Sequence, residues 1–186
     1  MDIPKIVQQQ KSFFNSNATK EVNLRIDTLK KLKLILQENE DKLYTAIYTD
    51  FKKSQFETYL TELSLIYNEI NDAISNLKKW SKQKRVSTNL ANFPAKSYII
   101  PEPLGIILVI SAWNYPYQLS LIPAISAIAA GNTVVIKPSE IPNNTSKILA
   151  ELINTNFDEN HLTIIEGGVE TTTELLQQKW DKIFFT

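Results

Sequence analysis

Apolar residues in the first part of the chain recur at helical spacing. Val22, Ile26, Leu29, Leu32 and Leu36 form one such series, and Phe56, Leu60, Leu63, Tyr67, Ile70, Ile74 and Leu77 form a second. Steps of three and four keep a set of side chains on one face of a helix of about 3.6 residues per turn. The second series predicts one continuous helix from about Gln55 to Lys82. Such a stripe serves either as a coiled-coil seam or as the buried side of a helix laid on a core, and the core reading fits a compact domain better.

The rhythm breaks between residues 86 and 103. There Pro94, Pro101 and Pro103 flank Ser97-Tyr98-Ile99-Ile100. Proline on both sides excludes a central strand and suits an edge arm able to pair with another domain or chain. From Leu104 onward short apolar runs alternate with helical patterns. Strands are predicted at Gly105–Ser111, Thr133–Lys137, His161–Glu166 and Lys182–Thr186, and helices at about Tyr117–Ala130, Asn143–Asn154 and Glu170–Gln178. Gly131 stands where a left-handed residue ends a helix, and Pro142 and Asn144 stand where one begins. This alternation predicts an α/β fold: N-terminal helices followed by the first half of a doubly wound, parallel, Rossmann-like sheet. By range, residues 1–95 form a helical segment packing on the sheet, 96–103 the edge arm, and 104–186 part of a nucleotide-binding domain.

Composition narrows the chemistry. Twenty basic residues balance twenty acidic ones, so net charge argues for neither nucleic acid nor an anionic surface. The cluster KKWSKQKR, residues 78–85, is either a basic patch or a helix end whose cations complement the dipole, and the second reading suffices. The absence of cysteine removes disulfides, thiolate metal sites and a thiol nucleophile from these 186 residues, and the single histidine, His161, excludes a histidine-rich metal site. Pro103 to Ile136 carries no charge, but Asn-Tyr-Pro-Tyr-Gln and Gly131-Asn132-Thr133 cut it into pieces too short for a membrane span. With no signal-type apolar segment at the N-terminus, a cytoplasmic location is expected.

In open parallel sheets ligands lie at the carboxyl ends of the strands. The first predicted strand leads into SAWNYP and the second into KPSE. The dinucleotide fingerprint of spaced glycines is absent after the first, where Trp113 and Tyr115 stand instead. Asn114 is open to two readings: the N-cap of the following helix, with Pro116 in its first turn, or an amide donor aimed at a developing oxyanion. Lys137 and Glu140 are likewise either surface residues of a proline turn or a donor and acceptor placed for ribose hydroxyls.

The segments PEPLGIILVISAWNYPYQLSLIPAISAIAAGNTVVIKPSE, IIEGGVETTTELL and WDKIFFT resemble, in that order, the aldehyde dehydrogenase superfamily. The forms WNYP and GGVETTTELL look most like its class 3 branch, which acts on fatty and aromatic aldehydes. The resemblance implies NAD(P)-dependent oxidation of aldehydes to carboxylic acids through a cysteine thiohemiacetal and thioester. It also implies a role for Asn114 as oxyanion donor, with Ser111, Ala112 and Trp113 lining the cofactor groove. Lys137 and Glu140 would meet the adenosine ribose and Val169 would flank the adenine. NAD is favoured over NADP by the carboxylate of Glu140. The arm around Ser97–Ile100 is similar to part of the family's oligomerisation hairpin, which implies a homodimer in the full enzyme.

The family's nucleophilic cysteine and general-base glutamate match no position here. The expectation is therefore an N-terminal part of such an enzyme, inactive by itself and weak in NAD binding. Two other readings stand beside it. One is a short non-enzymatic protein that docks on a full-length relative through its arm or open sheet edge. The other is a stand-alone nucleotide-binding module.

Overall fold

The runs Ile106–Ile110, Thr133–Lys137 and Leu162–Ile164 are buried at every position, as strands covered on both faces must be. The computed structural model describes residues 2–186. The helical part comprises α1 (Ile3–Asn15), α2 (Val22–Glu38), α3 (Glu40–Phe51), α4 (Gln55–Thr58) and α5 (Ser64–Trp80). Two short strands follow, β1 (Lys84–Val86) and β2 (Ser97–Ile99). The α/β part then runs β3 (Ile106–Ile110), α6 (Pro116–Ala129), β4 (Thr133–Lys137), α7 (Asn143–Asn156), β5 (Leu162–Ile164), α8 (Val169–Leu176) and β6 (Lys182–Phe185).

The main sheet is parallel throughout, in the order β5-β4-β3-β6. Its first strand, β3, is therefore internal, with β4 and β5 added on one side and β6 on the other. The winding direction reverses between β3 and β6, the arrangement of a doubly wound nucleotide-binding sheet. Alternate residues face opposite sides. Ile107, Val109, Val134 and Ile136 enter a large core shared with α2, α3, α5, α6 and α7. Ile106, Leu108, Ile110 and Val135 enter a smaller core closed by Ile3, Ile6 and Val7 of α1 and Leu175 of α8. The helical segment thus builds directly onto both faces of the sheet.

Sequence spacing is corrected in one place that matters. The region expected as one helix from Gln55 to Lys82 contains a π-helical turn, Tyr59–Leu63, between α4 and α5, and α5 ends at Trp80. The wider turn inserts a residue and rotates the buried face. Leu63, Tyr67, Ile70 and Leu77 are buried as the stripe requires, but Phe56 and Leu60 are exposed while Thr58 and Glu62 are fully buried.

The basic cluster divides between two elements. Lys78 and Lys79 close α5, whereas Lys84 and Arg85 lie in β1. That strand pairs antiparallel with β2, so the proline-flanked segment forms half of an exposed two-stranded ribbon. Among the described residues no helix is long and apolar enough to cross a membrane.

Gly131 follows α6 with φ +90, the left-handed conformation expected of it. The position also needs glycine for space, because a Cβ there would lie 2.7 Å from the guanidinium carbon of Arg25. That side chain is buried and donates to the carbonyls of Thr19 (2.6 Å), Lys20 (2.9 Å) and Ala129 (3.3 Å), joining the start of α2 to the end of α6.

Candidate functional site

The carboxyl ends of β3 and β4 lie side by side, since Ile110 pairs with Lys137 and the Ser111 amide donates to the Lys137 carbonyl at 3.1 Å. Ser111 is buried, and its hydroxyl shares a 2.7 Å hydrogen bond with that of Ser120 on α6, so it faces the helix. Ala112 is half-buried, and Trp113, Asn114 and Tyr115 are exposed at the mouth of the strand.

Asn114 is not a helix cap. The residue in the N-cap position of α6 is Tyr115, whose side chain makes no capping bond. The free amides at the start of α6 are instead satisfied from a distance: Glu62 Oε2 accepts from Tyr117 N at 2.8 Å and Gln118 N at 3.3 Å. The other oxygen of Glu62 accepts from Lys53 Nζ at 2.7 Å. Asn114 is bonded through its backbone, whose oxygen accepts from Lys53 Nζ at 3.5 Å. Its carboxamide is left free of partners among the described residues and points into no capping bond.

The start of α7 is built in the same manner. Pro142 provides no capping side chain, and Asn144 lies inside the helix. Asp50 at the end of α3 takes over: its carboxylate accepts from Asn144 N (3.3 Å) and Nδ2 (2.8 Å), and from Thr145 N (2.8 Å) and Oγ1 (2.6 Å). Burial works to raise the Asp50 pKa, but these hydrogen bonds from Thr145 and Asn144 outweigh it and hold the carboxyl below its ordinary value.

Lys137 is almost fully buried and reaches Glu140 Oε2 at 2.8 Å. That hydrogen bond and charge hold the half-exposed Glu140 carboxyl below the usual carboxylate range. A cleft of about 160 Å³ opens beside the pair, lined by Pro138, Ser139, Glu140, Glu166, Gly167 and Gly168. Val169 follows as the first residue of α8, largely exposed. A Cβ on Gly168 would meet nothing within 4 Å, so the cleft is open on that side. The ends of β4 and β5 thus bring together a carboxylate acceptor, an ammonium donor and a glycine-walled cleft.

The residues therefore gather in two neighbouring groups, Ala112–Tyr115 after β3 and Lys137, Glu140 and Val169 around the ends of β4 and β5. Nothing in the local pattern singles out Lys53, Asp50 or Glu62. Acids such as Asp50 and Glu62 in amphipathic helices, and a lysine such as Lys53 in the loop between α3 and α4, read as solvent-facing, and only the burial of Glu62 marks it out.

The whole sequence, residues 1–186, matches the family model "Aldehyde dehydrogenase family". This protein is an aldehyde dehydrogenase family member. It is 45% identical over 176 residues to 4,4'-diaponeurosporen-aldehyde dehydrogenase of Staphylococcus aureus, which covers 95% of this chain and 38% of that one. It is also 45% identical over 181 residues to aldehyde dehydrogenase family 3 member I1, chloroplastic, of Arabidopsis thaliana, covering 97% and 33% respectively. Among solved structures, the substrate-bound state of Staphylococcus aureus AldH superposes with a TM-score of 0.96 at 43% identity, over 100% of this chain and 40% of that chain. The similarity to family 3 members agrees with the branch read from WNYP and GGVETTTELL. The chain spans well under half the length of these relatives.

Proposed function

We propose that this chain is the N-terminal and cofactor-facing part of an NAD(P)-dependent aldehyde dehydrogenase that oxidises aldehydes to carboxylic acids. Family membership supports the reaction class, and the free, exposed carboxamide of Asn114 at the mouth of β3 is the observation that carries the catalytic reading. An oxyanion donor must be unengaged before the reaction and rigidly held, so that its N–H groups meet charge only as it develops. Asn114 would donate to the oxygen of the thiohemiacetal formed on a cysteine contributed by sequence outside these residues.

NAD(P) would be held by the second group. Glu140 accepts from the adenosine ribose hydroxyls and Lys137 donates alongside, while Val169 flanks the base and Ala112 and Trp113 line the groove. Ser111 contributes through its backbone, its hydroxyl being committed to Ser120. The cofactor, when bound, accepts hydride. The carboxylate of Glu140 favours NAD by repelling an added 2′-phosphate. In this reading residues 1–95 are the supporting helical segment, 96–103 belong to a dimer-forming arm, and 104–186 are half of the cofactor domain.

The test is turnover and binding side by side. The 186-residue chain is expected to show no aldehyde oxidation with either cofactor and only weak NAD affinity by calorimetry. Within a whole enzyme containing this segment, Asn114→Ala is expected to lower kcat by about a hundredfold or more, with little change in cofactor affinity. Aldehyde turnover by the 186-residue chain alone would overturn the division of labour, and an unchanged kcat in Asn114→Ala would overturn the role of Asn114.

A second reading, a protein that docks on a longer relative, is favoured by β6. All four of its residues are exposed, Phe185 to 74%. A bare parallel edge of this kind invites strand pairing. Co-sedimentation with a full-length relative, absent when Phe185 is replaced by Lys, would support it over the first.

A further inference from the structure

We propose that Lys53 and Glu62 are positioning residues for Asn114, acting as a clamp that fixes the turn carrying its carboxamide. This rests on the reading of Asn114 as the oxyanion donor. The turn supplies no side-chain anchor to α6 from within, since Tyr115 makes no capping bond. Its anchors come from the helical segment that precedes the sheet, Glu62 from the π-helical turn and Lys53 from the loop between α3 and α4. Glu62, with no exposed surface, receives both Tyr117 N and Gln118 N and so sets the axis and start of α6. Lys53 spans the turn: its ammonium reaches Glu62 Oε1 at 2.7 Å and the Asn114 carbonyl at 3.5 Å, and lies 4.6 Å from the centre of the Tyr115 ring. Phe51 adds a tilted contact to Trp113, ring centres 6.3 Å apart.

The π-helical turn is what makes the clamp available. It directs Glu62 inward beside Leu63, in a stretch where α-helical phase would have buried Leu60. A buried carboxylate is tolerated only when paired and hydrogen-bonded. Glu62 meets that condition with one cation and two helix amides, so it is well satisfied only while Lys53 and α6 keep this geometry. The same ammonium that neutralises Glu62 also holds the backbone of Asn114. Errors of about 1 Å in a catalytic group cost about a hundredfold in rate, which gives such a clamp a purpose beyond stability.

The experiment compares the 186-residue chain with its Lys53→Met, Lys53→Arg and Glu62→Gln variants by thermal unfolding, amide hydrogen exchange and the NMR signals of the Asn114 carboxamide. Loss of the clamp is expected to speed exchange at Tyr117 and Gln118 by about tenfold relative to the amides of α7, and to broaden or split the Asn114 signal. Lys53→Arg should restore a single Asn114 signal. A uniform rise in exchange with an unchanged Asn114 signal would show a merely structural pair and overturn the proposal. Should Glu62→Gln fail to fold, Lys53→Met decides, because Lys53 keeps some exposure. In a whole enzyme containing the segment, Lys53→Met is expected to lower kcat with KM unchanged, and to add nothing in an Asn114→Ala background. An Asn114→Ala enzyme of normal kcat would sink the oxyanion reading and with it the catalytic purpose of the clamp, whereas the exchange data would still decide whether the clamp holds the turn.

Discussion

Asp50 and Thr145 are joined by two hydrogen bonds to one carboxylate oxygen, 2.8 Å from the backbone amide and 2.6 Å from the hydroxyl. An acid near the end of α3 thereby supplies the cap that α7 lacks, and with it fixes the helix that follows Lys137 and Glu140. Removing it leaves helix amides without an acceptor. Asp50→Ala is expected to lower the free energy of unfolding by about 1–2 kcal/mol in urea titration. A change near zero would mean that water replaces the carboxylate without loss.

The same pair makes stability depend on acid. The folded-state pKa of Asp50 lies below its unfolded value, so its contribution is fully present above about pH 4 and is lost as pH falls through the folded pKa. Asp50→Asn should therefore flatten part of the decline in stability below about pH 4. Unfolding midpoints measured at pH 5 and at pH 3 would show whether wild type and variant converge.

His161 acts in a higher pH range. Burial lowers its pKa, against the opposing charge of Asp158, and its Nε2 has no hydrogen-bond partner among the described residues. Above about pH 6.5 both folded and unfolded states hold the ring neutral. As pH falls from there towards the folded pKa, the unfolded chain takes up the proton first and stability declines. His161→Leu is expected to remove that slope; identical slopes for variant and wild type between pH 7.5 and 5.5 would contradict it.

Gly131 and Gly168 provide a contrast. Alanine at 131 meets both a positive φ and the guanidinium of Arg25, and is expected to cost about 1–3 kcal/mol. Alanine at 168 meets open space, and its effect on stability should stay within about 0.5 kcal/mol. Because Gly168 lines the cleft beside Glu140, its cost should fall on nucleotide binding. Thermal unfolding and calorimetry separate the two effects.

Glu140→Gln tests cofactor choice. Losing the charge should raise the affinity for NADP relative to NAD by a few-fold, the scale of one exposed charge interaction. An unchanged ratio in a whole enzyme containing this segment would place the discrimination elsewhere.

The alternating strands and helices from Leu104 onward were legible in the sequence, and their bounds agree with the structure to within about two residues. Buried parallel strands are predominantly apolar, and their crossover helices are bounded by Gly131 and Pro142, so each boundary has a local cause. The segments WNYP, KPSE and GGVETTTELL also fall at the carboxyl ends of β3, β4 and β5, because each directly follows a parallel strand in sequence. Local composition decided these features, and it would do so in any chain with this pattern.

What the tertiary structure alone decided is how those strand ends are held. Asn114 and Asn144 have the chemistry of caps, yet the caps of α6 and α7 are Glu62, which precedes its partners by 55 and 56 residues, and Asp50, which precedes its own by 94 and 95. The π-helical turn that buries Glu62 has no spacing of its own in the sequence, since its apolar neighbours satisfy an ordinary helix equally well. Backbone amides at a helix start accept any suitably placed oxygen, and local reading finds only the nearby ones. Which distant acid reaches them depends on how helices and sheet pack, and that is settled when the shared core closes.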